Sequence, residues 1–221
     1  MTAMNSYCHL DLPSLSFGAA VKPNSAVTIL LHGRTQSPSD MLAIAERINL
    51  PDMAYVALQA HEKSWYPGKF MDPEELNAKA LGQAIQRLDQ EVERLVELGV
   101  ERCNIAFLGF SQGACLACEY LYRRPARWGG LIAFTGGLIG PVGIDWSTSE
   151  RLHGTPVVLA NSDEDEWVPL TRTLQTALVF ATMQADLTLR AFPGMAHVVN
   201  DEEVLLGRGL LARLMDSAST P

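Results

Sequence analysis

Residues 103–113 read CNIAFLGFSQG and contain the most informative pattern in the chain. Cys103–Phe110 is apolar apart from Asn104 and is predicted to be a strand that is buried on both faces of a sheet. Gly109–Gly113 (GFSQG) then follows the pattern G-x-S-x-G, and a helix is predicted from there to about Arg124. A strand, this pattern and a helix in succession form the context in which a serine is presented as a nucleophile at a sharp turn. The alternative is an ordinary strand-to-helix turn in which Ser111 caps the helix.

The need for glycine at both positions of the pattern is steric. A side chain at Gly109 or Gly113 would collide with the neighbouring backbone as the strand turns into the helix, and the serine between them is held in a strained conformation. The backbone N–H of Gln112 lies at the predicted helix N-terminus, where unsatisfied donors and the positive end of the helix dipole favour an oxyanion. Ser111 is therefore the candidate nucleophile, and the N–H of Gln112 is a candidate oxyanion donor.

Strand-like and helix-like segments alternate along the rest of the chain. Further strands are predicted at 26–32, 53–59, 131–135, 156–160 and 187–192, and further helices at 39–49, 73–98, 168–184 and 202–216. Strands separated by helices indicate a mostly parallel sheet covered on both faces. Together with the G-x-S-x-G pattern, this predicts an α/β-hydrolase fold.

The length of the chain bounds its domain organisation. We expect its 221 residues to form one domain over 1–221, with a core at about 25–216. The connection over residues 136–155 is too short for a separate cap domain, and the loop at 61–73 is shorter still. An open cleft is therefore predicted, suited to small soluble esters or to an acyl chain presented by a larger molecule.

The composition excludes several classes of protein. Hydrophobic residues make up 48% of the chain and charged residues 19%, as in an ordinary globular protein. The formal net charge is −8 and no run of Lys or Arg is present, so nucleic acid and anionic membrane surfaces would be repelled. The N-terminus lacks a secretory signal pattern, and the apolar runs are too short to span a bilayer. We expect a cytoplasmic protein without a nucleic-acid partner or a membrane span; its apolar fraction is compatible with a homodimer.

The four cysteines are too sparse for a disulfide scaffold. Cys115 and Cys118 form a C-x-x-C inside the helix that follows Ser111. We interpret them as small buried helix residues, because free cysteine packs like a small hydrophobic side chain. The alternative, a redox pair or half of a metal site, lacks a second ligand pair at zinc spacing.

One of the five histidines fits a catalytic triad. In an α/β-hydrolase the order along the chain is Ser, then Asp or Glu, then His. Three histidines precede the serine, and a fourth precedes the strand whose C-terminal end should carry the acid. His197 remains, and it follows the predicted strand 187–192 on the side of the sheet where ligand sites form. The alternative is that His197 is an exposed loop residue.

The acid should follow the strand at 156–160. The run at 161–166 (NSDEDE) offers four carboxylates, and most of such a run is a solvated acidic loop. Asp163 and Asp165 are both candidates, and the residues alone do not choose between them.

The chain resembles the carboxylesterase/phospholipase branch of the α/β-hydrolases, which includes the acyl-protein thioesterases, over roughly residues 25–215. Four segments carry the resemblance: Leu31–Gly33, Gly109–Gly113, Asp165–Pro169 and Gly194–His197. In these enzymes the triad aspartate begins a D-x-x-V-P sequence, which implies Asp165 rather than Asp163. The resemblance implies the triad Ser111, Asp165 and His197, with no metal or organic cofactor.

The same resemblance implies a second oxyanion donor, the backbone N–H of the residue after His-Gly, which is Arg34 here. The family usually has a small or apolar residue at this position, followed by a glycine-rich turn, whereas this chain has Arg34–Pro38 (RTQSP). A backbone donor tolerates that difference. The guanidinium of Arg34 could bind a substrate carboxylate, or it could form a surface salt bridge, which we favour.

The loop Ser64–Phe70 (SWYPGKF) differs from that of the thioesterases and looks more like that of bacterial relatives. Trp65, Tyr66 and Phe70 are candidates for the wall of an acyl or aryl pocket. The alternative for these three residues is packing underneath a long loop.

These features together predict a serine carboxylesterase that hydrolyses small or acyl-chain carboxylic esters through an acyl-enzyme. An acyl-protein thioesterase and a lysophospholipase are alternatives within the same chemistry. A hydrolase of C–C bonds or a lyase could use the same groups, and a catalytically inactive receptor could use the same fold.

Overall fold

The computed structural model describes residues 8–218, in which all strands belong to one sheet of seven. The strands are β1 (Ser14–Gly18), β2 (Val27–Leu31), β3 (Ala54–Leu58), β4 (Ile105–Phe110), β5 (Gly130–Phe134), β6 (Pro156–Ser162) and β7 (Asp186–Phe192). The helices are α1 (Pro38–Ile48), α2 (Glu74–Glu97), α3 (Gln112–Arg123), α4 (Leu170–Thr182) and α5 (Asp201–Ala218). The strand order is β1-β3-β2-β4-β5-β6-β7, and every pair except β1 with β3 is parallel. The mostly parallel sheet predicted from the sequence is therefore confirmed.

The helices cover both faces of the sheet, because successive side chains of each strand point to opposite sides. On one side, α2, α3 and α4 pack against Val27, Ile29 and Leu31 of β2 and their equivalents in the other strands. On the other side, α1 and α5 pack against Leu30 and its equivalents. Every residue of β2, β3, β4 and β5 is buried, which explains why these strands read as continuous apolar runs.

Strand β1 is absent from the sequence prediction, which began the core at residue 25. It pairs antiparallel with β3 at the edge of the sheet, and the ring of Phe17 stacks on that of Tyr55 at a centroid distance of 5.1 Å. Its five residues SLSFG carry little apolar character and are largely exposed, so the strand depends on its partner rather than on its own pattern. A smaller correction concerns Cys103, which lies in a short 3₁₀ turn before β4 instead of at the start of the strand.

The parallel arrangement brings the C-terminal ends of β2 to β7 to the same side of the sheet, which is its C-terminal edge. Neighbours β2 and β4 align Leu31 with Gly109, and neighbours β6 and β7 align Ser162 with Phe192. The loops that follow these strands therefore converge. Within residues 8–218, the connection between β5 and β6 contains no helix or strand, so no separate cap covers this edge.

No helix within the described part of the chain is long and apolar enough to cross a membrane.

The start of α3 touches the end of β2 without space for a side chain. A Cβ atom built on Gly113 would lie 2.5 Å from the carbonyl carbon of Leu31 and 2.7 Å from the oxygen of His32. A Cβ on Gly109 would lie 2.5 Å from the backbone nitrogen of Ala114. Both glycines are therefore required by the backbone, as the sequence argument expected.

We predict that Gly113→Ala lowers the free energy of unfolding by about 3 kcal/mol, because the obstructing atoms belong to the backbone at the end of a central strand. The measurement is urea unfolding followed by circular dichroism. Gly82→Ala is the matched control: Gly82 lies inside α2 with nothing within 4 Å of the added Cβ. Alanine at that position should stabilise the helix by about 0.5–1 kcal/mol. A Gly113→Ala protein as stable as the wild type would contradict this account of the turn.

Candidate active site

Ser111 occupies the single residue between β4 and α3, in a strained backbone conformation. Its φ of 54° and ψ of −119° lie outside the regions that L-residues ordinarily populate. The conformation is held on both sides by hydrogen bonds: the N–H of Ser111 donates to the carbonyl of Phe134 at 3.0 Å, and the N–H of Cys115 donates to the carbonyl of Ser111 at 3.0 Å. The turn thus presents the hydroxyl at the edge of the sheet where the loops converge.

A continuous hydrogen-bonded relay joins Ser111, His197 and Asp165. The Nε2 of His197 lies 2.9 Å from the Oγ of Ser111, and its Nδ1 lies 2.7 Å from Oδ2 of Asp165. With the Nδ1 proton donated to the carboxylate, Nε2 is free to accept the proton of the serine hydroxyl.

The carboxylate of Asp165 is fixed by its own loop. Its side chain is fully buried, and its Oδ1 accepts hydrogen bonds from the N–H groups of Trp167 at 2.9 Å and Val168 at 2.7 Å. These bonds leave Oδ2 directed at the imidazole. The D-x-x-V-P sequence therefore corresponds to a turn in which the aspartate binds the backbone that follows it.

Asp163 and Asp165, the two candidates for the triad acid, make different contacts in the structure. Oδ1 of Asp163 accepts the N–H of Gly194 at 2.8 Å, in the turn that leads from β7 to His197. Asp163 thus ties together the two loops that carry the acid and the histidine, while Asp165 contacts the imidazole itself. Glu164 and Glu166 are exposed, as expected for a solvated acidic loop.

The two candidate oxyanion donors lie beside the serine. Gln112 is the first residue of α3, where a backbone N–H has no acceptor within the helix and the helix dipole is positive. Arg34 lies in the turn after β2, and both residues line the same cavity as Ser111 and His197. The structure therefore brings together every residue that the sequence predicted for the triad and the oxyanion hole.

The guanidinium of Arg34 makes contacts other than the surface salt bridge expected from the sequence. We favoured a surface salt bridge, but among the described residues no ion pair involves Arg34. Its Nη1 instead donates to the carbonyl of Pro67 at 2.8 Å, and its Nη2 donates to the carbonyls of Tyr66, at 3.0 Å, and Gly68. The side chain binds the backbone of the neighbouring loop.

The cavity at the serine has a volume of about 760 Å³. Its walls are formed by four loops and the first turn of α3: Arg34, Thr35, Tyr66, Pro67, Gly68, Lys69, Phe70, Asp72, Ser111, Gln112, Cys115, Glu166, Trp167, Val168 and His197. Tyr66 and Phe70 line it, as one of the two interpretations of their loop expected. Trp65 does not: it is fully buried beneath the loop, where its Nε1 donates to the carbonyl of His32 at 2.8 Å. Its assignment to the pocket wall was wrong.

Several residues that line the cavity were not predicted from the sequence. Val168 and Trp167 could have been inferred from their place next to Asp165, and Cys115 from its place one helical turn after Ser111. Lys69 and Asp72 carry no signal of their own. Trp167 is 60% exposed at the mouth of the cavity, so this side of the opening is apolar and accessible.

Buried histidines support the loop that carries Tyr66. His32 accepts the N–H of Ala60 at its Nε2, 3.1 Å away, so its Nδ1 carries the proton that is donated to the carbonyl of Gly33. His9 accepts the N–H of His61 at Nδ1, so its Nε2 donates to the carbonyl of Trp65 at 3.1 Å. Burial lowers the pKa of both rings, that of His9 to about 4, so both are neutral and structural near pH 7.

A buried cation supports the same loop at Phe70, four residues after Tyr66. Arg172 of α4 donates from Nη1 to the carbonyls of Leu138 and Gly140, at 2.9 and 2.7 Å. Its guanidinium lies over the rings of Phe70 and Trp146, at 5.6 and 4.8 Å from their centroids. Arg172 therefore connects the loop after β5 to the pocket wall.

Cys115 and Cys118 are buried free thiols of α3, as their small apolar character predicted. Desolvation by burial raises the pKa of Cys115 to about 12, so its thiol is un-ionised and acts as an apolar part of the cavity wall. Within residues 8–218, no group of three or more His, Cys, Asp or Glu side chains is arranged to hold a metal ion.

Comparison with known proteins agrees with the fold described above and identifies related proteins. Residues 16–206 match the family model described as phospholipase/carboxylesterase. The crystal structure of a phospholipase/carboxylesterase from Dyadobacter fermentans superposes with a TM-score of 0.87 at 33% sequence identity, covering 94% of this chain and 99% of that one.

Two curated relatives are more distant. A protein named probable carboxylesterase SOBER1-like from Arabidopsis thaliana is 27% identical over 143 residues, which are 64% of this chain and 54% of the relative, so the match spans about half of that protein. Acyl-protein thioesterase 1 from Kluyveromyces lactis is 21% identical over 88% of this chain and 94% of its own length.

Proposed function

The chain belongs to the phospholipase/carboxylesterase family of α/β-hydrolases, and we propose that it is a serine esterase in which Ser111 is the nucleophile. The observation that carries the proposal is the relay of hydrogen bonds from Asp165 through His197 to Ser111, at 2.7 and 2.9 Å. The relay supports acyl transfer because it activates a hydroxyl that is a weak nucleophile by itself.

In the proposed reaction, Ser111 attacks the ester carbonyl while Nε2 of His197 takes its proton. Asp165 holds the imidazole in the required tautomer and stabilises the imidazolium that forms. The same imidazolium then protonates the leaving alcohol. Water enters, gives a proton to His197 and attacks the acyl-enzyme. The bond between the acyl carbon and Oγ then breaks, and His197 returns its proton to Oγ of Ser111 as the acid leaves.

The backbone N–H groups of Arg34 and Gln112 are assigned as the hydrogen-bond donors that stabilise the negative charge on the tetrahedral oxygen. Donors aimed at the position where charge develops contribute roughly 3 kcal/mol each to stabilisation of the transition state. The position of Gln112 at the start of α3 supports this role, because the helix dipole adds to the hydrogen bond.

The shape of the site supports small soluble esters, or an acyl chain presented by a larger molecule, as substrates. The cavity of about 760 Å³ has an apolar inner wall that includes Tyr66, Phe70 and Val168, and the described residues place no cap over it. Thioester hydrolysis is the second candidate, supported by the likeness to an acyl-protein thioesterase and by the identical acyl-transfer chemistry. The reading of the chain as an inactive receptor gains no support, since the three reacting groups are in hydrogen-bond contact.

A cytoplasmic location is part of the proposal. It rests on the sequence, whose four cysteines are too sparse for the disulfide scaffold of a small secreted protein. A homodimer and a single domain over the whole chain remain predictions.

The two aspartates provide a matched pair for testing the proposal. We predict that Asp165→Asn lowers kcat for p-nitrophenyl butyrate by on the order of 10⁴-fold, because the amide no longer holds the imidazole in the productive tautomer. Asp163→Asn retains an acceptor for the N–H of Gly194 and should leave kcat within about twofold of the wild type. Equal losses in both variants would contradict the assigned roles.

The open cleft gives a prediction about substrate size. We expect soluble acetate and butyrate esters to be hydrolysed readily and an emulsified long-chain triglyceride poorly, because residues 8–218 form no cap that would offer an apolar surface to an oil interface. The comparison is made by titrating the acid released from each substrate at equal ester concentration. Strong activity on the emulsion would overturn the proposed substrate class.

A further inference from the structure

The segment Ser64–Gly68 contacts both residues whose N–H groups are assigned to the oxyanion hole. On one side lies the carboxamide of Gln112, which is buried in the protein. Its Oε1 accepts the N–H of Trp65 at 3.0 Å, and its Nε2 donates to the carbonyl of Tyr66 at 2.8 Å. The first residue of α3 is thus bound by its side chain to this segment through two hydrogen bonds of opposite direction.

On the other side lies Arg34, whose guanidinium donates to three successive carbonyls of the same segment, those of Tyr66, Pro67 and Gly68. The carbonyl of Tyr66 therefore accepts a hydrogen bond from Arg34, at 3.0 Å, and one from Gln112, at 2.8 Å. One backbone oxygen links the side chains of the two residues whose own N–H groups are assigned to the oxyanion.

Further bonds join the turn of Arg34 to the same loop. The N–H of Thr35 donates to the carbonyl of Lys63 at 2.9 Å, with Thr35 itself at a φ of 66°. The indole of Trp65 donates to the carbonyl of His32.

The turn after β2 is closed locally by the N–H of Gly33, which donates to Oε1 of Gln36 at 2.8 Å, and by the N–H of Gln36, which donates to the carbonyl of Gly33 at 3.2 Å. The contacts with the neighbouring loop contribute its orientation relative to Gln112.

The position of a backbone N–H is set by the peptide plane, and an oxyanion hole functions only if its donors are aligned before the reaction. Gln112 is aligned by α3, whereas Arg34 lies three residues beyond the end of β2 in an exposed turn. A side chain that anchors this turn to a segment already bound to Gln112 would fix the distance between the two donors.

We propose that the side chains of Arg34 and Gln112 are positioning residues that align the two oxyanion donors by binding the Ser64–Gly68 segment between them. The inference rests on the proposed esterase function. It also assigns the guanidinium of Arg34 to the protein rather than to a substrate carboxylate, because three of its five N–H donors already bind carbonyls of one segment.

The test is the steady-state kinetics of Arg34→Met on a neutral ester, p-nitrophenyl butyrate, and on an anionic one, mono-p-nitrophenyl glutarate. Misaligned donors stabilise the transition state less but leave ground-state binding unchanged. We expect kcat to fall by about 10–100-fold for both esters, with KM within about threefold. Inhibition by an alkyl boronic acid, whose serine adduct carries the tetrahedral charge, should weaken in proportion to kcat/KM.

Arg208→Met is the matched control. Arg208 also donates from Nη1 to two backbone carbonyls, those of Ile48 and Asn49, but it lies in α5 away from the cavity. It should lose a comparable amount of thermal stability and keep the wild-type kcat. Arg34→Lys provides a second variant at the site: its ammonium keeps the charge but lacks the planar fork of donors, so its kcat should lie between those of Arg34→Met and the wild type.

A double-mutant cycle tests whether the two side chains act through one segment. If they do, Arg34→Met and Gln112→Met together should lower kcat by much less than the product of the single effects. Independent effects, a kcat for Arg34→Met equal to that of the wild type, or a loss confined to KM for the anionic ester would each overturn the inference. A folded wild-type protein without activity would instead overturn the proposed function on which it rests.

Discussion

The close contact between the start of α3 and the end of β2 is the constraint on which the rest of the site depends. Gly113 allows the helix to begin against the backbone of Leu31 and His32, and the chain can enter it only through the strained conformation of Ser111. The same turn places the N–H of Gln112 at a positive helix end. One steric condition therefore determines the position of the nucleophile and one oxyanion donor, and it brings the turn of Arg34 alongside them.

The remaining groups are delivered by loops that parallel strands bring to the same edge, and polar contacts then fix each loop. Asp165 binds the backbone of its own turn, Asp163 binds the turn that leads to His197, and Arg34 binds the loop of Tyr66. Each of these side chains satisfies backbone groups that a loop leaves without partners. Asp163, Asp165 and the guanidinium of Arg34 thus align the site, whereas Glu164 and Glu166 of the same acidic run are exposed to solvent.

The sequence was sufficient to predict the sheet, the triad candidates and the N–H of Gln112 as a donor, because these follow from apolar runs, two glycines and chain order. The N–H of Arg34 as a second donor was implied only by the resemblance to the family. The sequence did not predict β1, whose pairing with β3 depends on the partner strand. The contacts of Trp65 and of the Arg34 guanidinium were also missed, since they join segments more than 30 residues apart. The triad aspartate was predicted in part. The residues alone left Asp163 and Asp165 as candidates, and the resemblance to a D-x-x-V-P pattern favoured Asp165, which contacts His197.

The central claim is that Ser111 is an activated nucleophile, and intact-mass analysis after reaction with a fluorophosphonate tests it most directly. The account predicts one adduct per chain in the wild-type protein, formed far more slowly in His197→Ala and absent from Ser111→Ala. A folded wild-type protein that acquires no adduct, or a Ser111→Ala protein that acquires it at the wild-type rate, would contradict the assignment of the nucleophile.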